Sequence, residues 1–413
     1  MESMATNFWS APDLAVQIGK DAATPDARQE AAMDWAFGLA TPEMRLFTTG
    51  VQRRLPSGPA ASLGERVKRF FSDYPSADRS EASPRLLVGA IPFDRDQGDC
   101  LFLPERAANR AWSAPTQAPL SPGGIRLTSE PSREAYQQAV AKALASICAS
   151  RDDARPIDKV VLSRSLRLEA DRPFDAFALW RDLKVDPSAA RFLVPLGLGQ
   201  GGDMRRLVGA SPELLISKRG PAILSHPLAG SARRSPDLSQ DEAAAQGLLA
   251  SDKDRREHAL VVEAIMDLLA PRCSDLRAPP GPALVSTRTM WHLGTRIEGR
   301  VRRPDEVSAA ELAALLHPTP AVCGAPRDLA AGVIRDLEAY DRGFYAGALG
   351  WTNAAGDGAW YVTLRCAEIC GSEARLYAGA GIVDGSDPEA EADETSGKFQ
   401  AVMRALGVDE ASV

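Results

Sequence analysis

Two periods alternate along this chain. Short, mostly apolar runs bounded by turn residues predict strands, and apolar stripes at i, i+3 and i+4 predict helices. The first strong strand is Leu86-Leu87-Val88-Gly89-Ala90-Ile91-Pro92-Phe93. Before it the pattern is weak, with Pro and Gly scattered through it, and 104–124, rich in Pro, Ala and Ser, reads as loop. From Ser132 to Ala149, Tyr136, Val140, Ala143, Leu144 and Ile147 share one helical stripe, with Ser132 placed to cap it. Beyond 157 the pattern sharpens. Strands are predicted at 159–168, 191–198, 205–218, 222–228 and across 285–301, and helices at 173–183, 253–269, 309–316 and 328–340. Strands at 344–352, 359–369 and 374–383 follow, the first two joined by the hairpin-type stretch Asn353–Gly358, and a helix over 388–406 closes the pattern.

Strands joined by short turns favour antiparallel pairing, and helices here fall between groups of strands. The expected class is α+β. No linker or short repeat interrupts 125–413. The chain is therefore read as one large domain over 1–413, with a core at 125–405 and a less certain N-terminal portion over 1–120.

Composition narrows the function. The hydrophobic fraction of 45% is that of a globular protein. With 48 basic and 55 acidic side chains the net charge is −7, which argues against nucleic-acid binding but leaves room for a small anion held by local cations. No apolar run reaches the ~18 residues of a membrane span. Met1–Asn7 shows no basic patch leading into an apolar stretch, so no secretory signal is expected. The six cysteines are scattered; only Cys366 and Cys370 are close, and a zinc knuckle would need a second pair. Reduced thiols and a cytoplasmic location are expected.

Five constellations could carry chemistry. Glu391, Glu394 and Lys398 share one face of the closing helix, opposite Phe399, Val402, Met403 and Leu406. Asp254 and Glu257 lie at i, i+3 in a helix that Ser251 or Asp252 can cap. Each set also suits a solvated helix face or a first turn answering the helix dipole. Carboxylates converging from both helices would instead make a Mg²⁺ site. Glu213 sits in a Ser-Pro turn between apolar strands, where burial would raise its pKa and make it a general acid; it could equally accept turn N–H bonds. Lys159 heads the strand Val160-Val161-Leu162, either as an exposed end or as a base facing a cleft. Two glycine-rich turns, Pro227–Ser231 and Ala378–Ile382, could bring backbone N–H groups up to a ligand, and Gly379-x-Gly381 lacks the strand-turn-helix context of a dinucleotide site. Arg365, read as lying inside the strand Tyr361–Ile369, calls for a carboxylate partner.

In this order, these segments resemble the chorismate-utilising enzymes, and within them the isochorismate synthase branch. The matching stretches are 159–164, 209–215, 227–233, 251–258, Trp291-His292-Leu293, 316–326, 363–367, 378–383 and 391–398. The resemblance implies a single large α+β domain of two packed antiparallel sheets with helices outside. It implies that Mg²⁺ holds chorismate through Glu257 and Glu394, with Asp254 and Glu391 as outer supports. It makes Glu213 the general acid and Lys159 the general base. It gives Arg365, Gly379 and Lys398 to the substrate carboxylates, with Tyr345 nearby, and places Gly230, Ser231, His292 and Ala321 around the substrate. Lysine at 159 implies water as the nucleophile, and Ala229 stands where aminodeoxychorismate synthases carry a nucleophilic lysine. No glutamine amidotransferase subunit is expected. Ala321, where lyase-competent relatives often have threonine, implies stopping at isochorismate; Tyr345 points the other way, toward salicylate synthase. A non-catalytic binding relative would be expected to lack one of these groups. Siderophore supply is the implied pathway.

Overall fold

Two long antiparallel sheets and one short one carry the chain. The computed structural model describes residues 33–41, 44–73, 85–108, 123–183 and 188–408. The expectations for Met1–Asn7 and for most of the 104–124 loop lie outside these residues. The ten-stranded sheet runs Gly324–Ala325, Lys159–Ala170, Glu373–Val383, Cys366–Cys370, Met204–Ser211, Ala190–Leu198, Phe37–Ala40, Arg45–Thr49 and Arg106–Ala108, with Ile125–Glu130 also paired to Lys159–Ala170. The eight-stranded sheet runs Ile297–Arg300, Ala222–His226, Leu214–Arg219, Gly358–Val362, Ala348–Asn353, Leu86–Ile91, Cys100–Leu103 and Arg53–Arg54. A third sheet, not foreseen, joins Leu228–Arg233, Met290–Gly294 and Ala283–Ser286.

The α+β class follows from the packing. The largest apolar cluster takes Phe192, Val194 and Leu207 from the first sheet and Leu87, Trp351 and Trp360 from the second, so the two sheets bury their faces together. The closing helix Pro388–Leu406 puts Phe399, Val402 and Met403 on Leu166, Leu168 and Leu376 at the outer side of the ten-stranded sheet. The expected cap holds at Arg133–Ala149, where Ser132 accepts from the Ala135 N–H, and Tyr136, Val140 and Ala143 of that helix pack on Val160 and Leu162. The hairpin at 353–358 also forms, pairing Ala348–Asn353 with Gly358–Val362.

Several elements differ from expectation. The weakly patterned N-terminal stretch holds the strands Phe37–Ala40 and Arg45–Thr49 and the helix Leu63–Ser72. Residues before 109 place three strands in each large sheet. A helix at Leu238–Ala250 was also missed. No helix among the described residues is long and apolar enough to cross a membrane. All six cysteines are free.

Candidate active site

The chain passes between the two large sheets at two adjoining points, and each passage delivers a polar side chain. The predicted strand 205–218 is two strands: Met204–Ser211 ends in the ten-stranded sheet and Leu214–Arg219 begins in the other, with Pro212 and Glu213 between them. Proline has no N–H to continue a ladder, so the break falls there. The predicted strand 359–369 divides likewise into Gly358–Val362 and Cys366–Cys370. Arg365 is thus not inside a strand; it lies in the return passage at φ +49°, in the left-handed region that strains a side chain and often marks functional sites. The passages are bonded to each other: Ser211 Oγ donates to the Val362 carbonyl, Val362 N–H to the Glu213 carbonyl at 3.1 Å, and Ala210 N–H to the Arg365 carbonyl at 3.2 Å.

Both glycine-rich stretches lie in strands: the first, expected as a turn, falls in Leu228–Arg233, and the second falls in the strand predicted over 374–383. Leu228–Arg233 pairs with Met290–Gly294 through a bulge between Ala229 and Ser231, where Gly230 adopts φ +77°. A Cβ there would sit 3.1 Å from Asp254 Cβ, so this glycine lets the bulge lie against the Asp254 helix. On Glu373–Val383, a Cβ at Gly381 would fall 2.2 Å from Glu257 Oε1. Gly381 is therefore a site residue that the predicted set lacked, although its Gly-x-Gly context was visible.

One cavity gathers the predicted groups. Glu213, Gly230, Ser231, Glu257, His292, Ala321, Tyr345, Arg365, Gly379, Glu394 and Lys398 all line it, joined by Val161, Val322 and Tyr377, which the sequence did not single out. Lys159 stands behind this wall. It is fully buried, its Nζ is 2.9 Å from Glu257 Oε1, and that nitrogen makes no hydrogen bond among the described residues. Asp254 and Glu391 also stand back. Ser251 caps the helix Asp252–Leu269 by accepting from the Asp254 N–H, and Lys253 Nζ holds Glu391 at 2.7 Å.

The electrostatics separate the carboxyl groups. Burial pushes Glu213 up to about 8, against the pull of Lys159, the Leu228 N–H and Lys398, so it is protonated at neutral pH. Burial also raises Asp254 and Glu391, and the charge of Glu394 adds to the rise at Glu391. Burial alone would raise Glu394 too, but Lys398 and the Ser231 hydroxyl, which donates to it at 2.8 Å, bring it below the usual range. Lys398 also donates to the Gly379 carbonyl at 2.8 Å. His292 is held neutral by burial and by the nearby Arg365 and Lys398 charges. Its Nε2 lies 3.3 Å from Arg365 Nη2 and accepts from it.

A metal was expected between Glu257 and Glu394. Among the described residues no three His, Cys, Asp or Glu side chains are grouped to hold an ion. Two carboxylates lining one cavity are an all-oxygen, incomplete donor set. That set fits Mg²⁺, which keeps waters and takes substrate oxygens, and does not fit a closed zinc site.

Antiparallel sheets packed face to face, with a protonated carboxyl, a buried lysine and a pair of carboxylates around one cavity, define a class of small-molecule enzymes built at a seam between sheets. A family model described as chorismate binding enzyme matches residues 104–407, and the chain belongs to that family. It is 42% identical over 383 residues to isochorismate synthase DhbC of Bacillus subtilis, covering 91% of this chain and 94% of the relative. It is 40% identical over 357 residues to isochorismate synthase EntC of Escherichia coli, covering 85% and 88%. A solved structure assigned as the 2,3-dihydroxybenzoate-specific isochorismate synthase DhbC of Bacillus anthracis superposes with a TM-score of 0.83 at 37% identity, covering 91% of this chain and 97% of that one.

Proposed function

We propose that this chain is a magnesium-dependent isochorismate synthase, converting chorismate to isochorismate by adding water at ring C2 as the C4 hydroxyl departs. The observation that carries this is Glu213: a buried carboxyl with a pKa near 8, in a cavity bearing Arg365 and Lys398, is a proton donor beside a site for carboxylates. The names of the relatives support the same activity.

In this reading Lys159, in its neutral form, turns from Glu257 and takes a proton from water. The oxygen bonds to C2, the ring double bonds shift, and the C4–O bond breaks as Glu213 protonates the leaving hydroxyl. Solvent then returns the proton from Lys159 to Glu213, so one water enters and one leaves. Arg365, oriented by neutral His292, and Lys398 bind the substrate carboxylates, with Gly379 and Tyr345 beside them. Gly230 and Ser231 line the ring. Glu257 and Glu394 would hold Mg²⁺, with Asp254 and Glu391 as supports. When bound, the ion withdraws charge from the ring carboxylate and fixes the ring.

Ala321 offers only a methyl group to the cavity, which favours release of isochorismate before pyruvate is eliminated. Water as nucleophile requires no amidotransferase partner. The 2,3-dihydroxybenzoate-specific relative favours siderophore supply, and six free thiols suit the reducing cytoplasm. The test is incubation with chorismate and MgCl₂ in ¹⁸O-water, with chromatographic and mass analysis. Isochorismate carrying one solvent oxygen is expected. Unchanged chorismate, or stoichiometric pyruvate with salicylate, would overturn the assignment.

A further inference from the structure

Glu338 and Arg342 form an ion pair beside the cavity, and neither lines it. Their side chains are 4% and 2% exposed. Desolvation offsets most of the attraction in such a pair, so stability alone is a poor account of it. Its directed bonds give a better one. Arg342 Nε donates to Glu338 Oε2 at 2.8 Å, with Nη2 on the other oxygen. Nη1 donates to the Val322 carbonyl at 2.8 Å and Nη2 to the Val161 carbonyl at 2.7 Å. Glu338 Oε1 also accepts from the Ser163 N–H at 2.7 Å and the Ser163 hydroxyl at 2.8 Å. The guanidinium lies 6.0 Å from the centre of the Tyr345 ring, which stacks on Tyr377 at 4.8 Å.

Val161, Val322, Tyr345 and Tyr377 are cavity walls. Val161 is two residues along the strand from Lys159, and Val322 follows Ala321. One guanidinium therefore ties the strand of the proposed base to the Ala321–Val322 loop and to the aromatic wall. A planar fork of five donors can hold two carbonyls and a carboxylate at once; an ammonium on a flexible stem cannot reproduce that arrangement.

We propose that Arg342, fixed by Glu338, is a positioning residue that sets the separation between the Lys159 strand and the Ala321–Val322 wall, and with it the alignment of base, acid and ring. This rests on the isochorismate synthase reading. Arg342→Lys should lower kcat about 10²-fold, the cost of an ångström-scale misplacement, with the KM for chorismate within about threefold of wild type. Val67→Ala, buried in the helix Leu63–Ser72, which contributes no residue to the cavity, should lower Tm and leave kcat unchanged. Arg342→Ala should regain activity with millimolar guanidinium and not with methylammonium. The added cation can enter by a groove of about 1170 Å³ that both Glu338 and Arg342 line. Amide exchange over 159–163 and 319–324 should quicken in Arg342→Lys and not in Val67→Ala. A wild type inactive on chorismate would refute the functional reading, while the exchange result still decides the role of the pair. Unchanged exchange in those two segments, or an Arg342→Lys enzyme with kcat close to wild type, would overturn the proposal.

Discussion

Replacing Glu213 by glutamine should make this protein more stable and nearly inactive. The carboxyl is 2% exposed, and burial lifts its pKa from 4.5 to about 8. An acid whose pKa is raised on folding lowers stability as pH climbs from its unfolded to its folded value, because the unfolded chain releases a proton that the folded chain must keep. At pH 7 the gap from 4.5 is 2.5 pH units, which at 1.36 kcal/mol each is about 3 kcal/mol of lost stability. The loss grows up to pH 8 and is constant above it. Glutamine has nearly the same shape and no charge to desolvate, so it should recover up to that amount, less the cost of an unpaired amide N–H. For a chain of this size that is a rise of roughly 3–6 °C in Tm at pH 8, and little change near pH 4. Turnover should fall about 10²–10⁴-fold, the contribution of a positioned acid. Wild-type kcat should decline above pH 8 with a single proton, and the residual rate of Glu213→Gln should lack that limb. Thermal unfolding at pH 4, 6 and 8 beside a pH–rate profile checks both halves. A variant no more stable than wild type at pH 8 that keeps the alkaline limb would refute the reasoning.

Lys159→Ala should lose about 10²–10⁴-fold in kcat and also lower the urea midpoint, because Glu257 is left buried without its cation. Glu257→Gln and Glu394→Gln should each raise the magnesium concentration for half-maximal turnover and weaken magnesium binding by calorimetry, and chelation should abolish wild-type activity. Ala321→Thr should raise pyruvate release at the expense of isochorismate, read by coupled lactate dehydrogenase; an unchanged product ratio would show that the loop does not govern elimination. Gly381→Ala, whose Cβ would meet Glu257 Oε1 at 2.2 Å, should cut kcat more than about tenfold, whereas Gly247→Ala, with nothing within 4 Å on an exposed helix face, should leave kcat alone and add up to about 1 kcal/mol of stability.

Local pattern located many of the elements that bury one face over a full period, although the helix Leu63–Ser72, which buries Leu63, Val67 and Phe70, was not foreseen. The closing helix shows its Phe399, Val402 and Met403 stripe plainly, and the Ser132 and Ser251 caps lie where short polar side chains precede helical runs. The helix Leu238–Ala250 escaped because it buries only Asp241, Ala245 and Leu248 and leaves Leu238 exposed, so no stripe marks it. Phe37–Ala40 and Arg45–Thr49 are too short to display alternation.

The residue types of the site, their order and their helix faces were thus present in the sequence, and the family resemblance with them. Where the chain changes sheets was not. A continuous apolar run reads the same whether one strand continues or two strands part company, since periodicity records burial and not the partner that provides it. The split at Pro212–Glu213, the strained passage at Arg365, the Lys159–Glu257 contact and the Arg342 clamp all depend on groups far apart in sequence. The raised pKa of Glu213 does so as well, because proton affinity follows burial depth and the surrounding charges. Those are properties of the assembled tertiary structure, and no local stretch of sequence contains them.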